Sequence, residues 1–204
     1  MCVARWIGCL LVLLVNGAQA AAPPADRDEP AASLAGRLLV ADPGLADPNF
    51  DHTVVLILRD GSEGTLGLVL NRPYGKMPTA ELLRRLGLDG KGVTGETELF
   101  YGGPVQPEIG MVVHSPDYEG PHTLRIAPGL AVTGDPEVLA DLAAGKGPRQ
   151  AIPVLGYAGW APGQLAGEIA AGAWFSIPAD PTLVFAPDAG SMWKRAMARR
   201  GIEL

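Results

Sequence analysis

The stretch Gly156-Tyr157-Ala158-Gly159-Trp160-Ala161-Pro162-Gly163-Gln164-Leu165-Ala166-Gly167-Glu168 leaves the backbone few ways to run. An apolar segment leads into it, Pro162-Gly163 ends that segment, and Gln164, Leu165 and Glu168 open a helical pattern. The stretch predicts a strand-to-helix corner, with a strand over 151–158 and a helix over 163–171. Gly156 and Gly159 bracket Tyr157, so the backbone can bend there or approach another element where a side chain would clash.

The first twenty residues carry the parts of a secretory signal peptide in order. Arg5 is the positive n-region, Trp6 to Val15 the apolar run, and Ala18-Gln19-Ala20 the small-x-small cleavage signal. That run is shorter than the ~20 apolar residues a transmembrane helix needs. The expectation is cleavage and a periplasmic or secreted protein with no membrane span. The alternative is a cytoplasmic protein whose true start lies downstream of Met1. Both cysteines, Cys2 and Cys9, fall in the leader, which leaves the domain without disulfides, thiolate catalysis or cysteine-ligated metal. The whole chain has a formal charge of −6, and losing Arg5 makes it one unit more negative. An acidic domain is a poor electrostatic match for nucleic acid or an anionic membrane, so nucleic acid is disfavoured as a partner. The one basic cluster, Lys194, Arg195, Arg199 and Arg200, reads as the solvated end of a helix, where it complements the dipole.

Residues 21–33 are Ala, Pro and charge without periodicity, the composition of a disordered spacer. One globular domain of roughly 170 residues is expected over 34–204. Strands are predicted at 37–41, 53–59 and 65–70, the last two forming an antiparallel hairpin across Asp60 to Gly64. A helix over 79–86 stops at Gly87, and strands follow at 98–101, 110–114 and 122–127. Asp135-Pro136 opens a further helix, 174–177 is strand-like, 182–185 is ambiguous, and 191–200 closes the chain as a helix. Strands with single helices interspersed, lacking regular alternation, argue for α+β with a largely antiparallel sheet.

Several motifs in order resemble the YqgE/AlgH family: Gly67 to Pro73, Tyr101-Gly102-Gly103-Pro104-Val105, Val112-Val113-His114, the Gly156 to Glu168 corner, and Trp193 through Gly201-Ile202. The resemblance covers residues 34–203. It implies one α+β domain in which a bifurcated antiparallel sheet curls into a pseudo-barrel with helices outside. It implies no established activity and no cofactor, although the family carries the label of a transcriptional regulator. Where the family corner usually has an acidic residue after Gln-Leu, this chain has Ala166. Where an Asn commonly precedes the Trp by two, it has Gly172.

Each candidate site residue has a structural alternative. Asn71 can bond its own backbone to start a turn and Pro73 can stop a strand, which leaves Arg72 to bind a carboxylate or phosphate, or to pair with Glu81 or another surface acid. Gly102 and Gly103 offer backbone N–H groups for an anion nest, or simply make a tight turn. His114 could be a base or metal ligand with Asp117, Glu119 and His122, or a capped strand-end residue. Tyr157 and Trp160 could line a patch or fill the core, as Trp174 is expected to do. Gln164 and Glu168 share one helix face, and Glu168 could stabilise the first turn through the dipole.

Two function classes remain. The first is a non-enzymatic binding or regulatory module with a protein or small-molecule partner, acting through Asn71, Arg72, Gly102, Gly103, Tyr157, Trp160, Gln164 and Glu168. The second is a hydrolase or lyase using His114 or Glu168 as base with Arg72, which requires those three to meet at one cavity.

Overall fold

The structure, a computed structural model, describes residues 33–201. The expected signal peptide and all but the last residue of the expected spacer lie outside the described residues. In chain order the strands and helices are β1 (Arg37–Ala41), β2 (Val54–Gly61), β3 (Gly64–Val69), β4 (Pro73–Pro78), α1 (Thr79–Arg85), β5 (Glu96–Tyr101), β6 (Val105–His114), β7 (Leu124–Ala127) and β8 (Leu130–Thr133). They continue with α2 (Glu137–Ala143), β9 (Ala151–Trp160), α3 (Gln164–Ala170), β10 (Trp174–Pro178), α4 (Pro181–Val184), a 3-10 turn at Ala189–Ser191, and α5 (Met192–Met197).

The order across the sheet is β10-β1-β2-β3-β9-β6-β8-β7, and the fold is α+β with a curled, largely antiparallel sheet, as expected. β2 and β3 form the expected hairpin with Gly61 opposite Gly64. The sheet forks at β9: β5 joins it in parallel at Phe100↔Val154 and Tyr101↔Leu155, and carries β4 on its far side.

Three strands differ from the sequence prediction. Pro73 does not stop a strand but opens one, β4, at the first position, where a missing N–H costs no ladder bond. β8 follows β7 closely, and its four short apolar residues lack the length to announce a strand of their own. β6 also begins five residues earlier than expected, because Val105 to Gly110 is mostly exposed and carries a register shift that hides its alternation.

β1 and the first half of β2, Val54 to Ile57, are buried on both faces, which is why they read as unbroken apolar runs. Leu38, Val40, Val54 and Leu56 point to the concave face, closed by Leu183 and Val184 of α4 and Met192 of α5. Leu39, Val55 and Ile57 point the other way, under Trp160, Leu165 and Trp174. A third apolar cluster joins α1 and α2 to Leu99 and Val112. No helix among the described residues is long and apolar enough to cross a membrane.

Candidate functional site

The corner forms where it was expected, with β9 ending at Trp160 and Gly163 at φ +76° before α3. Its polar side chains bond one another. Glu168 Oε2 accepts the indole N–H of Trp160 at 3.0 Å and that of Trp174 at 2.9 Å, while Oε1 accepts from Gln164 Nε2 at 2.9 Å. Gln164 Oε1 accepts in turn from the Ala161 backbone N–H at 3.0 Å. The two indole rings meet edge to face at 6.0 Å, and Phe50 packs against both. Trp160 is only 6% exposed and Trp174 3%, so both are core, and Trp160 lines no surface patch. Glu168 acts as a clamp on two indoles rather than through the helix dipole. Glu168→Ala removes both charge-assisted acceptors and is expected to lower stability by about 2–4 kcal/mol, with Glu168→Gln costing about half as much, read by thermal unfolding.

Gly102 and Gly103 press against the same corner. A Cβ on Gly102 would lie 2.2 Å from the Gly156 carbonyl oxygen, and one on Gly103, at φ +152°, 2.2 Å from the Tyr157 carbonyl carbon. The Gly102 N–H already donates to the Leu155 carbonyl at 2.8 Å, so it is not available to an anion. These glycines are backbone-to-backbone contacts that seat β5 on β9.

Asn71 and Arg72 hold the loop before β2. Asn71 Oδ1 accepts from Val54 N at 2.9 Å and its Nδ2 donates to the His52 carbonyl at 2.9 Å, so it bonds another strand's backbone and not its own. Arg72 donates to the Asp51 carbonyl at 2.9 Å. Its expected partner Glu81 is taken by Arg85 and Arg84, which hold the Glu81 carboxyl below its usual range.

His114 is fully buried at the end of β6. Its Nδ1 donates to the Ser115 carbonyl at 2.8 Å, its ring meets Tyr118 edge to face, and its Nε2 has no partner among the described residues. The ligand set proposed around it does not assemble: Asp117 is bound by Ser115 and Arg149, and Glu119 by Arg125. No group of three His, Cys, Asp or Glu among the described residues is placed to hold a metal. His114 lies opposite Ala151 at one end of β9 and Glu168 beside Trp160 at the other. That ten-residue strand separates them by about 30 Å. His114, Glu168 and Arg72 therefore share no cavity.

The Ser115 hydroxyl above all, with Arg149, holds the Asp117 carboxyl down at about 2. Because this folded-state value lies below that of an unfolded Asp, about 3.9, the stabilisation is present above pH ~4 and is lost as pH falls through ~2. Asp117→Asn is expected to flatten the fall in melting temperature between those two pH values.

A wide opening lies at the fork. A cleft of about 640 Å³ is floored by Leu70, Phe100, Ile152 and Met192 and rimmed by Glu96, Glu98, Arg149, Gln150 and the Phe185 to Gly190 segment. In a strand the N–H and C=O of one residue point to the same side, and successive residues alternate. Gly102 N–H bonds Leu155 C=O across the junction, while Ser115 N–H bonds Gln150 C=O on the β6 side. Counting back, the backbones of Ala151 and Pro153 face the fork, as do those of Glu96 and Glu98. Pro153 accepts from the Phe100 N–H as the first rung of the β5–β9 ladder but has no N–H to extend the ladder to Glu98. The proline thus accounts for the splay. Sequence reasoning missed this cleft; its two signals were a proline inside an otherwise apolar strand and the alternation Glu96, Glu98, Phe100 along β5. A second, apolar opening of about 150 Å³ lies between α1, α2 and the sheet.

Known proteins resemble the chain along nearly its whole length. It is 39% identical over 181 residues to a UPF0301 protein of Methylococcus capsulatus, spanning 89% of this chain and 99% of that one. It is 40% identical over 179 residues to one from Afipia carboxidovorans, spanning 84% and 85%. The solution structure of the AlgH protein from Pseudomonas aeruginosa superposes with a TM-score of 0.71 at 36% identity, covering 86% of this chain and 93% of that one. A crystal structure from Corynebacterium diphtheriae gives 0.65 at 26% identity, covering 88% and 92%. None of these names states a reaction, a ligand or a partner. With the AlgH-like family model also matching residues 38–204, the chain belongs to the AlgH-like family.

Proposed function

We propose that this protein is a non-enzymatic binding module, and that its ligand surface is the cleft at the fork rather than the corner. The observation that carries the reading is a contrast in polar satisfaction. At the corner, Trp160, Gln164, Glu168 and Trp174 satisfy one another. At the fork, the exposed Glu96 and Glu98 carboxylates have no protein hydrogen-bond or ion-pair partner among the described residues, over an apolar floor in a cleft of about 640 Å³. That volume suits a ligand, and a few convergent polar groups over an apolar floor are the usual make-up of a binding cleft. The wide separation of His114 from Glu168 gives the hydrolase or lyase reading no support, and the acidic charge of −6 gives none to a DNA-binding regulator.

Chemical-shift mapping with a collection of small fragments tests the reading. Hits are expected to perturb amides of Glu96–Glu98, Gln150–Ile152 and Val184–Gly190. Hits gathered around Trp160 and Gln164 instead would restore the corner as the ligand surface. We further infer that the module acts after export, on the strength of the leader-like pattern at Arg5 to Ala20. N-terminal sequencing of protein from the periplasmic fraction should then begin at Ala21; recovery only from the cytoplasm, whatever its first residue, contradicts export.

A further inference from the structure

We propose that the fork takes an extended peptide strand with basic side chains at alternate positions; this deepens the reading of the cleft as ligand surface and rests on it. Two inner strand edges face each other there. On β5 the Glu96 and Glu98 backbones point away from β4, toward β9, and on β9 the Ala151 and Pro153 backbones point away from β6, toward β5. Unpaired strand edges are templates for an added strand. β5 and β9 run parallel, so a segment laid between them meets both edges in one sense, parallel to both or antiparallel to both. A peptide N–H can meet the carbonyls of Glu96, Glu98 and Ala151, and a peptide carbonyl the N–H groups of the same three residues; the Pro153 carbonyl is already taken by the Phe100 N–H in the Phe100↔Val154 pair.

The side chains set the composition of the occupant. Phe100 packs in the concave core while Leu99 packs with α1 and α2, so Glu96 and Glu98 share the face of Phe100 and lean over the cleft. Asp188 lies on the opposite rim. Two cations stand near. Arg149 is already paired with Asp117 at 2.9 Å, and Lys76 sits across from Glu98 in the β4–β5 register. The balance remains acidic. Glu96 and Glu98 are two residues apart, the spacing at which side chains on an adjacent strand repeat on one face. Lysine or arginine at alternate positions therefore meets both carboxylates, and the residues between them face the α1–α2 side.

The test is fluorescence anisotropy of a labelled short peptide of alternating valine and lysine, titrated with the purified protein. Binding is expected, weakened about tenfold in a Glu96→Gln, Glu98→Gln double variant and weakened by added salt. A counterpart with glutamate in place of lysine should not bind. N-methylation of alternate peptide amides should abolish binding, because the backbone ladder is then blocked. In chemical-shift mapping, the amides of Glu98 and Ala151 should move. Equal binding of the lysine and glutamate peptides, undiminished binding to the double variant, or shifts confined to surfaces away from the fork would each overturn the proposal. If no peptide binds while fragments still map to the cleft, the peptide inference fails alone. If neither binds, the reading of the cleft as ligand surface fails with it.

Discussion

Trp160→Ala is expected to lower the unfolding free energy by about 3–5 kcal/mol, the usual cost of removing a buried aromatic ring. In a domain of this size that is a drop in melting temperature on the order of 10 °C. The indole is buried against Leu39, Val55, Ile57 and Leu165 and donates to Glu168 at 3.0 Å, so the variant loses core volume and a charge-assisted hydrogen bond together. Trp160→Phe keeps most of the ring volume and drops only the N–H, so it should fall well short of the alanine variant. A melting temperature for Trp160→Ala within about 2 °C of the parent would mean that this ring is not core, and would return it to the surface role that its position beside Ala161-Pro162-Gly163 allowed.

Gly103→Ala is expected to prevent accumulation of folded protein. An added Cβ would stand 2.2 Å from the Tyr157 carbonyl carbon and 2.3 Å from the Ala158 nitrogen, at φ +152°. Both are backbone atoms of the central strand β9, so no side chain can swing aside to make room. Gly167 is the internal control. It lies within α3, where an added Cβ would meet nothing within 4 Å and φ is not positive. Gly167→Ala should therefore stabilise by about 0.5–1 kcal/mol through helix propensity. Soluble expression and thermal melts of the two variants, made side by side, read both effects. Folded Gly103→Ala with a near-parent melting temperature would show that β5 does not seat tightly on the corner.

The fold was largely legible because its main elements obey one local rule each. β1, β2 and β3 are short apolar runs between turn formers, and α1 ends at Gly87, at φ +79°. β4 and β8 were not legible for different reasons. Pro73 looks like a terminator unless its place at the head of a strand is known, and β8 is too short for its period to be counted. The site was less legible than the fold. Gly, Trp and Glu at the corner form a dense motif, and density of unusual residues reads equally as a ligand surface or as a demanding piece of packing. The choice between them is made by atoms distant in sequence: Trp174 shares Glu168 with Trp160, and Gly102 and Gly103 meet Gly156 and Tyr157 only when β5 lies on β9. The fork is harder still to read from sequence. It exists because two strands far apart in the chain stop pairing at Pro153, and what it offers is backbone, which carries no sequence signature.

Amide hydrogen exchange in the free protein tests the open fork most directly. The N–H groups of Glu98 and Ala151 point into the cleft, whereas those of their neighbours Thr97 and Ile152 point to β4 and β6. An open fork requires rapid, loop-like exchange at Glu98 and Ala151 beside strong protection at Thr97 and Ile152. Equal and strong protection at all four would mean that β5 and β9 close on each other in solution, leaving no strand edges for a ligand to meet.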